Sequence, residues 1–254
     1  MRINSYLLIM LISVLGLAIS CERSTDSSSN IVYIPSSDME LSPRENAEAE
    51  TMALYLSREL VAPEYLYQRI KNGLATLREQ YLESVPQVGM THLPMHPPQS
   101  LIAGLTAEAI EKIRNGSFDE WNTLNNRFRL SGVDTTSWKY GGSFVRLDFS
   151  ILLNCRIAGP MYEELENVWS CQCNGYAGDY PNIYAWLDEN DKLVLLVRDA
   201  WGDCPAGCIV SHFYYFIESD DGFDLEIEAE MVSGSTEPVD PRILEIYNFW
   251  RVGY

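Results

Sequence analysis

CIVSHFYYFIESDDGFDLEIEAEM, residues 208–231, predicts two antiparallel β-strands joined by a tight turn. The first half is rich in aromatic and β-branched residues, and Asp221-Gly222 is a strong signal for a hairpin turn. In the second half, apolar residues from Phe223 to Ala229 alternate with acidic residues, as is typical of a strand with one solvated face. The segment therefore predicts an antiparallel sheet in the C-terminal third of the chain.

The neighbouring segments extend this sheet. Residues 183–187 and 192–197 have strand-like composition and flank a short polar turn. Residues 242–250 follow Pro241 with a helical pattern, and we expect their apolar side chains to pack on the sheet. Residues 176–254 are therefore predicted to form a β-rich region with a final helix.

The segment before residue 99 predicts a pair of helices. Ser42-Pro43-Arg44-Glu45 is a capping box with Pro at the first helical position, and it predicts a helix to about residue 60. Ala62-Pro63 interrupts this helix. Apolar residues then recur every three or four positions from Leu66 to Tyr81, which predicts a second helix. Residues 84–99 form a Pro-rich loop.

Between residues 99 and 175, strand and helix patterns alternate. Their order is strand, two helices, strand, helix and strand, at residues 100–105, 106–115, 117–128, 143–151, 161–168 and 169–173. This order is most of a ferredoxin-like split βαβ unit. The predicted fold class is therefore α+β, with an N-terminal helix pair, a ferredoxin-like split βαβ centre, C-terminal antiparallel hairpins and a final helix.

The first residues, MRINSYLLIMLISVLGLAISC, have the layout of a secretory signal, with Arg2 before an apolar core and small residues before Cys21. The apolar core is shorter than the roughly 20 residues of a membrane span. Ala18-Ile19-Ser20-Cys21 resembles the lipobox of bacterial lipoproteins, although Ala18 stands where leucine is most common. The resemblance implies a signal peptide over residues 1–20, a lipid on Cys21 and attachment to a membrane of the cell envelope.

Residues 22–30, ERSTDSSSN, are polar and have no apolar period. Such a segment cannot bury enough surface to offset its ordering entropy, so we expect a flexible tether over residues 21–40. A single α+β domain is predicted over residues 41–254. Its predicted parts are helical at 41–98, ferredoxin-like at 99–175 and β-rich at 176–254.

The charge of the chain limits its partners. The net charge is −18 at pH 7, which argues against electrostatic binding of nucleic acid or anionic lipid headgroups. No Ser/His/Asp arrangement, carboxylate pair or cofactor motif is identifiable, so no cofactor is predicted. A non-enzymatic role is therefore favoured.

Cys204 and Cys208 admit three interpretations. A thioredoxin-like redox site uses CxxC before a helix, whereas here CxxxC precedes a strand. A metal site that includes His212 would resemble copper-delivery proteins that use CxxxC and a distant histidine. The favoured prediction is a disulfide that closes the tip of a hairpin and stabilises it by about 2 kcal/mol. The closed loop would then present Trp201-Gly202-Asp203 as a binding surface.

Two further features concern metal ions and free thiols. Met90, His92, Met95 and His96 lie close together in the Pro-rich loop, and thioether and imidazole ligands suit Cu(I). A linker that contains these residues by chance is the alternative. The chain has six cysteines, so five remain if Cys21 carries a lipid, and at least one thiol lacks an internal partner.

Two family resemblances bear on function. GDYPNIY (178–184) and AWGDCPAGC (200–208) are similar to GDGPNIY-like and GWGDCPAGC-like segments of uncharacterised bacterial envelope proteins, with Tyr180 and Ala200 in place of glycines. PPQSLIAGL (97–105) and MYEELENVWSCQCNG (161–175) resemble parts of the prodomains of subtilisin-like proteases, without the Leu-Pro-Gly and Glu-Pro residues of those prodomains. The first resemblance implies an envelope location, and the second implies a protease inhibitor.

The sequence as a whole predicts a lipid-anchored bacterial envelope protein with a binding or structural role. The lipid on Cys21 would attach it to the membrane, and another envelope protein is the expected kind of partner. The alternatives are a thiol-redox or copper-binding protein that uses Cys204 and Cys208, and a prodomain-like inhibitor.

Overall fold

A computed structural model describes residues 43–94, 98–135, 143–175, 179–204 and 207–252, all within one unit of the chain, Met39–Tyr254. The predicted signal, the tether and Cys21 lie outside the described residues, as do Met95 and His96. The elements in chain order are α1 (Pro43–Ser57), α2 (Glu64–Tyr81), a 3₁₀ turn (Pro86–Gly89), β1 (Ser100–Leu105), α3 (Ala107–Arg114), α4 (Asn122–Arg127), β2 (Leu130–Asp134), β3 (Phe144–Phe149), α5 (Cys155–Glu163), β4 (Val168–Cys173), β5 (Asn182–Leu187), β6 (Leu193–Trp201), β7 (Val210–Ser219), β8 (Gly222–Val232) and α6 (Pro241–Val252).

The C-terminal sheet is an antiparallel meander of strands β5, β6, β7 and β8 in that order. Residues 193–198 of β6 are all buried, because helices cover both faces of the sheet. Leu193, Leu195 and Val197 pack in one cluster with the apolar stripe of α2. Val194 and Leu196 pack in a second cluster with α6. The predicted helix pair and final helix thus enclose the predicted sheet.

The apolar row of β8 divides between the two faces of the sheet. Leu225 joins the cluster on the α1–α2 side, whereas Ile227 joins the cluster on the α6 side. An irregularity in the β7–β8 register between Tyr215 and Phe216 causes this change, because it leaves Glu226 without a partner in the ladder. The sequence pattern alone placed the whole row on one face.

The central unit has the ferredoxin-like topology that the sequence predicts. Its sheet order is β2-β3-β1-β4, with antiparallel neighbours throughout. Helices α3 and α4 connect β1 to β2, and α5 connects β3 to β4. Strand β2 was not predicted, because LSGVD is short, contains glycine and lies at the edge of the sheet.

Two predicted helix boundaries are wrong. The helix predicted at 161–168 is α5, which begins at Cys155 and is capped by the Asn154 side chain. Pro160 lies within α5 at an exposed position, and this proline obscured the first part of the helix in the sequence. The helix predicted at 117–128 is α4, which starts later, at Asn122. Phe118 and Trp121 anchor the preceding segment through a buried edge-to-face contact at 4.8 Å.

The structure assigns the cysteines that the sequence left unpaired. Cys155 at the start of α5 forms a disulfide with Cys173 at the end of β4, across a sequence separation of 18. Closing a loop of that length stabilises the fold by about 3 kcal/mol in the chain-entropy model. Cys171 is the free thiol among the described residues. Burial, with a further contribution from the charge of Glu163, raises the pKa of Cys171 to about 12, so its reactive thiolate is scarce at neutral pH.

These assignments predict the thiol reactivity of the unreduced Cys21→Ala chain, whose five cysteines all lie in the described residues. We expect no fast reaction with a thiol reagent in the native state and one labelled cysteine, Cys171, after unfolding without reductant. Peptide mapping by mass spectrometry identifies the labelled site, and a Cys171→Ala variant is the control that should take up no label. Labelling of Cys155 or Cys173 would contradict the assigned pairing.

Candidate functional site

The connection between β6 and β7 forms a compact tip that a disulfide closes. Cys204 and Cys208 are bonded in the structure, as the sequence predicts. The Ile209 amide donates to the Trp201 carbonyl at 3.0 Å, and the Cys204 amide donates to the Gly202 carbonyl at 2.9 Å. Gly202 has φ +102°, and a Cβ at this position would lie 2.8 Å from the Ile209 side chain. The chain can therefore turn this tightly only with glycine at residue 202.

The segment that precedes β5 binds directly to this tip. The Asp179 amide donates to the Cys204 carbonyl at 2.9 Å, and the Cys208 amide donates to the Asp179 carboxylate at 3.3 Å. Both oxygens of that carboxylate accept hydrogen bonds from Arg198 at 2.7 Å. Arg198 also donates to the Tyr180 carbonyl and to the Ser211 hydroxyl. One guanidinium thus connects β6, β7 and the segment at 179–180.

Burial makes this ion pair decisive for the local structure. The Arg198 side chain is 1% exposed, and its guanidinium lies 4.8 Å from the centre of the Tyr247 ring. Burial alone would raise the pKa of Asp179, but the hydrogen bonds and charge of Arg198 outweigh it and hold that pKa below its usual value. Removing one member of such a pair costs about 3–5 kcal/mol, because the other charge stays buried without compensation.

Large apolar side chains surround the closed tip and are open to solvent. Trp201 is 46% exposed and Ile209 is 48% exposed. Val232 lies beside them, since the Ser233 amide donates to the Ile209 carbonyl, and it is exposed as well. We call this region the tip surface and define it by its exposed residues Tyr180, Trp201, Gly202, Asp203, Ile209 and Val232. An exposed apolar group at a fixed loop is typical of an interaction site.

The sequence identified only part of the tip surface. Trp201, Gly202 and Asp203, the predicted binding residues, are all exposed there. Sequence reasoning missed Ile209 and the pairing of Arg198 with Asp179. One signal could have found the pair, because Arg198 follows an apolar run in β6 and a charge in a buried strand needs a partner.

The residues of the copper hypothesis are not gathered within the described structure. His92 is buried, and its ring lies 5.0 Å from the ring of Trp250. Its Nδ1 is 2.7 Å from the Ile183 carbonyl, which can only accept, so Nδ1 carries the proton. His212 instead lies 2.9 Å from the Glu228 carboxylate. Within the described ranges, no three His, Cys, Asp or Glu side chains are grouped as a metal site would require.

The thiol-redox, copper and inhibitor alternatives therefore stay predictions. Met95 and His96, which complete the methionine–histidine group, lie outside the described residues.

None of the described helices combines the length and the apolar character that crossing a bilayer requires.

The buried histidine predicts a specific loss of stability in acid. Burial outweighs the hydrogen bonds of His92 and lowers its pKa to about 4, whereas an unfolded histidine has a pKa of about 6.5. Between about pH 4 and about pH 6.5, His92 is protonated in the unfolded chain and neutral in the folded chain. The contribution of neutral His92 to the free energy of unfolding is therefore complete above about pH 6.5 and falls by about 2 kcal/mol by about pH 5.

Urea unfolding at about pH 7.5 and about pH 5 measures this effect. A His92→Gln variant should lose about 2 kcal/mol less than the wild-type protein between the two conditions. Equal losses in the wild type and in His92→Gln would contradict the assignment.

Comparison with known proteins finds no matching family model, no matching curated protein and no matching solved structure.

Proposed function

We propose that this chain is a lipid-anchored protein of the bacterial cell envelope that binds another envelope protein through the tip surface. The observation that carries the proposal is the exposure of Trp201 and Ile209 on a loop that a disulfide and a buried ion pair hold in place. The lipobox resemblance supports the envelope location. The resemblance to envelope proteins supports it too, because its two segments meet at the Asp179–Cys204 hydrogen bond.

The rigidity of the tip favours tight binding. A flexible loop loses conformational entropy when a partner orders it, and this loss weakens binding. Here the Cys204–Cys208 bond, the turn at Gly202 and the Asp179–Arg198 pair have already restricted the loop. Tryptophan is also the residue type that most often contributes a large share of the binding energy in protein interfaces.

The charge of the chain favours a protein partner over an anionic surface. The net charge is −18, and Asp203 places a carboxylate among the exposed residues of the tip. An anionic lipid surface would be repelled, whereas a protein partner with an apolar centre and a polar or basic rim would be accepted. The tip combines apolar side chains with an acidic one in this way.

The proposed anchor and tether would increase the effectiveness of the tip. The sequence predicts a tether over residues 21–40, and a flexible chain of about 20 residues has an end-to-end distance of about 25 Å. The lipid would confine the domain near the membrane and raise its effective concentration towards a partner on the same membrane. A moderate affinity of the tip surface is then sufficient to bind a partner on the same membrane.

The lipid anchor is tested by changing Cys21 to alanine. We expect the wild-type chain in the membrane fraction of an expressing bacterium and the Cys21→Ala variant in the soluble fraction, because the variant lacks the cysteine that would carry the lipid. Mass spectrometry of the mature N-terminus checks for the lipid directly. The Cys204→Ala/Cys208→Ala variant, which removes two other cysteines, should stay in the membrane fraction. Retention of Cys21→Ala on the membrane would contradict the anchor.

The tip surface is tested by photocrosslinking in intact cells that carry the chain. A photoreactive amino acid at position 201 should give an adduct of one discrete mass, because a partner would cover that side chain. The same amino acid at position 169, which is also exposed but lies on the other sheet, is the matched control. Adding Asp179→Ala should abolish the adduct at 201, because the tip loses its buried ion pair. The proposal fails if position 201 gives no adduct, or gives the same protein adduct as position 169.

A further inference from the structure

One face of the ferredoxin-like sheet does not pack on α5. This face carries an aromatic pair at one end and a group of polar side chains at the other. Alternation along β3 places Phe144, Arg146 and Asp148 on this face, while Val145 and Leu147 point towards the helices and are buried. The register pairs the same three residues with β1, so their partners Gly104, Ile102 and Ser100 lie on the same face. We call this side of the sheet the open face.

An exposed aromatic pair occupies one end of the open face. The Trp169 indole lies against Gly104, where a Cβ would be 2.7 Å from the ring. Its ring contacts that of Phe144 in an edge-to-face arrangement at 5.0 Å. Trp169 is nevertheless 57% exposed. Glycine at position 104 thus lets a large ring lie close to the strand while much of its surface stays available to a ligand.

A polar groove occupies the other end of the open face. Its volume is about 450 Å³, which is within the range of small-molecule sites. The lining is mostly hydroxyl, amide, carboxylate and guanidinium groups, from Gln99, Ser100, Ser131, Arg146, Asp148, Phe149 and Asn174.

Hydrogen bonds hold these polar groups in position. The Arg146 guanidinium donates to the Asp148 carboxylate at 3.0 Å, and the Asn174 amide donates to the Ser100 hydroxyl at 2.8 Å. The Ser131 hydroxyl donates to the Asp148 carbonyl at 2.9 Å. Groups that are ordered before a ligand arrives lose less entropy on binding, so the groove is prepared for a polar ligand.

The two ends together match an extended ligand with apolar surfaces and many hydroxyl groups. Ser100 in the groove and Gly104 under the indole are four residues apart along β1, a distance of about 13 Å. An aromatic ring stacks on the C–H surface of a sugar ring, and carboxylate, amide and guanidinium groups bond its hydroxyls. A chain of a few sugar units provides both kinds of contact over this length.

The charge of the open face argues against acidic polymers as its ligand. Two carboxylates, Asp134 and Asp148, flank the single guanidinium of Arg146 at 3.8 and 3.0 Å. The local charge is therefore negative, on a chain whose net charge is −18. A nucleic acid or an acidic polysaccharide would be repelled, and a neutral oligosaccharide would not.

From this geometry we propose that the open face binds a neutral oligosaccharide, with one sugar ring against Trp169 and another in the groove beside Arg146 and Asp148. This site is separate from the tip surface and does not depend on the proposed function.

Calorimetric titration of the purified full chain with chitotetraose, cellotetraose and maltotetraose tests the site, with tetragalacturonic acid as the acidic comparison. We expect at least one neutral tetrasaccharide to bind. Trp169→Ala should weaken that binding by roughly tenfold or more, because an aromatic anchor is lost. Trp169→Phe should retain most of the affinity, and Trp201→Ala, which changes the exposed tryptophan of the tip, should bind as the wild type does.

Chemical-shift mapping of the wild-type chain gives a second measurement that does not require a variant to fold. The bound tetrasaccharide should shift the amide signals of β1 and β3 and leave those of residues 201–210 unchanged. The site is refuted if none of the three neutral tetrasaccharides binds at millimolar concentration, if Trp169→Ala binds as well as the wild type, or if tetragalacturonic acid binds more tightly.

Discussion

The buried charge of Arg198 is the constraint on which the tip of this protein depends. Strand β6 is enclosed by helices on both faces, so a guanidinium within it must find its partners inside the protein. Both carboxylate oxygens of Asp179 accept hydrogen bonds from Arg198. The same guanidinium also donates to the Ser211 hydroxyl and to the Tyr180 carbonyl. Satisfying one charge therefore brings the segment before β5 onto the β6–β7 loop and determines where the tip surface lies.

The two sheets use their disulfides for different purposes. Cys155–Cys173 closes a long loop and holds α5 to β4, where Gly159 allows the helix to approach the strand closely. Its contribution is mainly to the stability of the ferredoxin-like unit. Cys204–Cys208 closes a loop with a sequence separation of 4, which contributes less to stability but restricts the shape of an exposed loop. This difference agrees with a structural role for the first bond and a positioning role for the second.

Local patterns predicted the elements, and long-range contacts determined the site. The stripe of α2, the alternation in β3 and the Asp221-Gly222 turn are encoded within a few residues, so the fold class could be predicted. Strand β2 has little intrinsic preference for its structure and forms because β3 pairs with it. The Asp179–Arg198 pair joins residues 19 positions apart in sequence, and the groove combines Gln99 with Asn174. An arginine in a buried strand signals that a partner is needed, but propensity and period do not identify which residue it is, because the pairing arises only when the sheets assemble.

A strongly acidic chain gains solubility from its charge, and its two candidate binding surfaces expose large apolar side chains beside that charge. Both surfaces hold these side chains in the same way. At the tip, Gly202 makes room for Ile209 beside Trp201, and on the open face, Gly104 makes room for Trp169 beside Phe144. In each case the absence of a side chain allows a large apolar group to lie against the backbone, so that it is held in place without being buried. Such a group loses little further conformational entropy on binding. Contacts with the exposed tryptophans therefore contribute most to the binding free energy of a neutral partner.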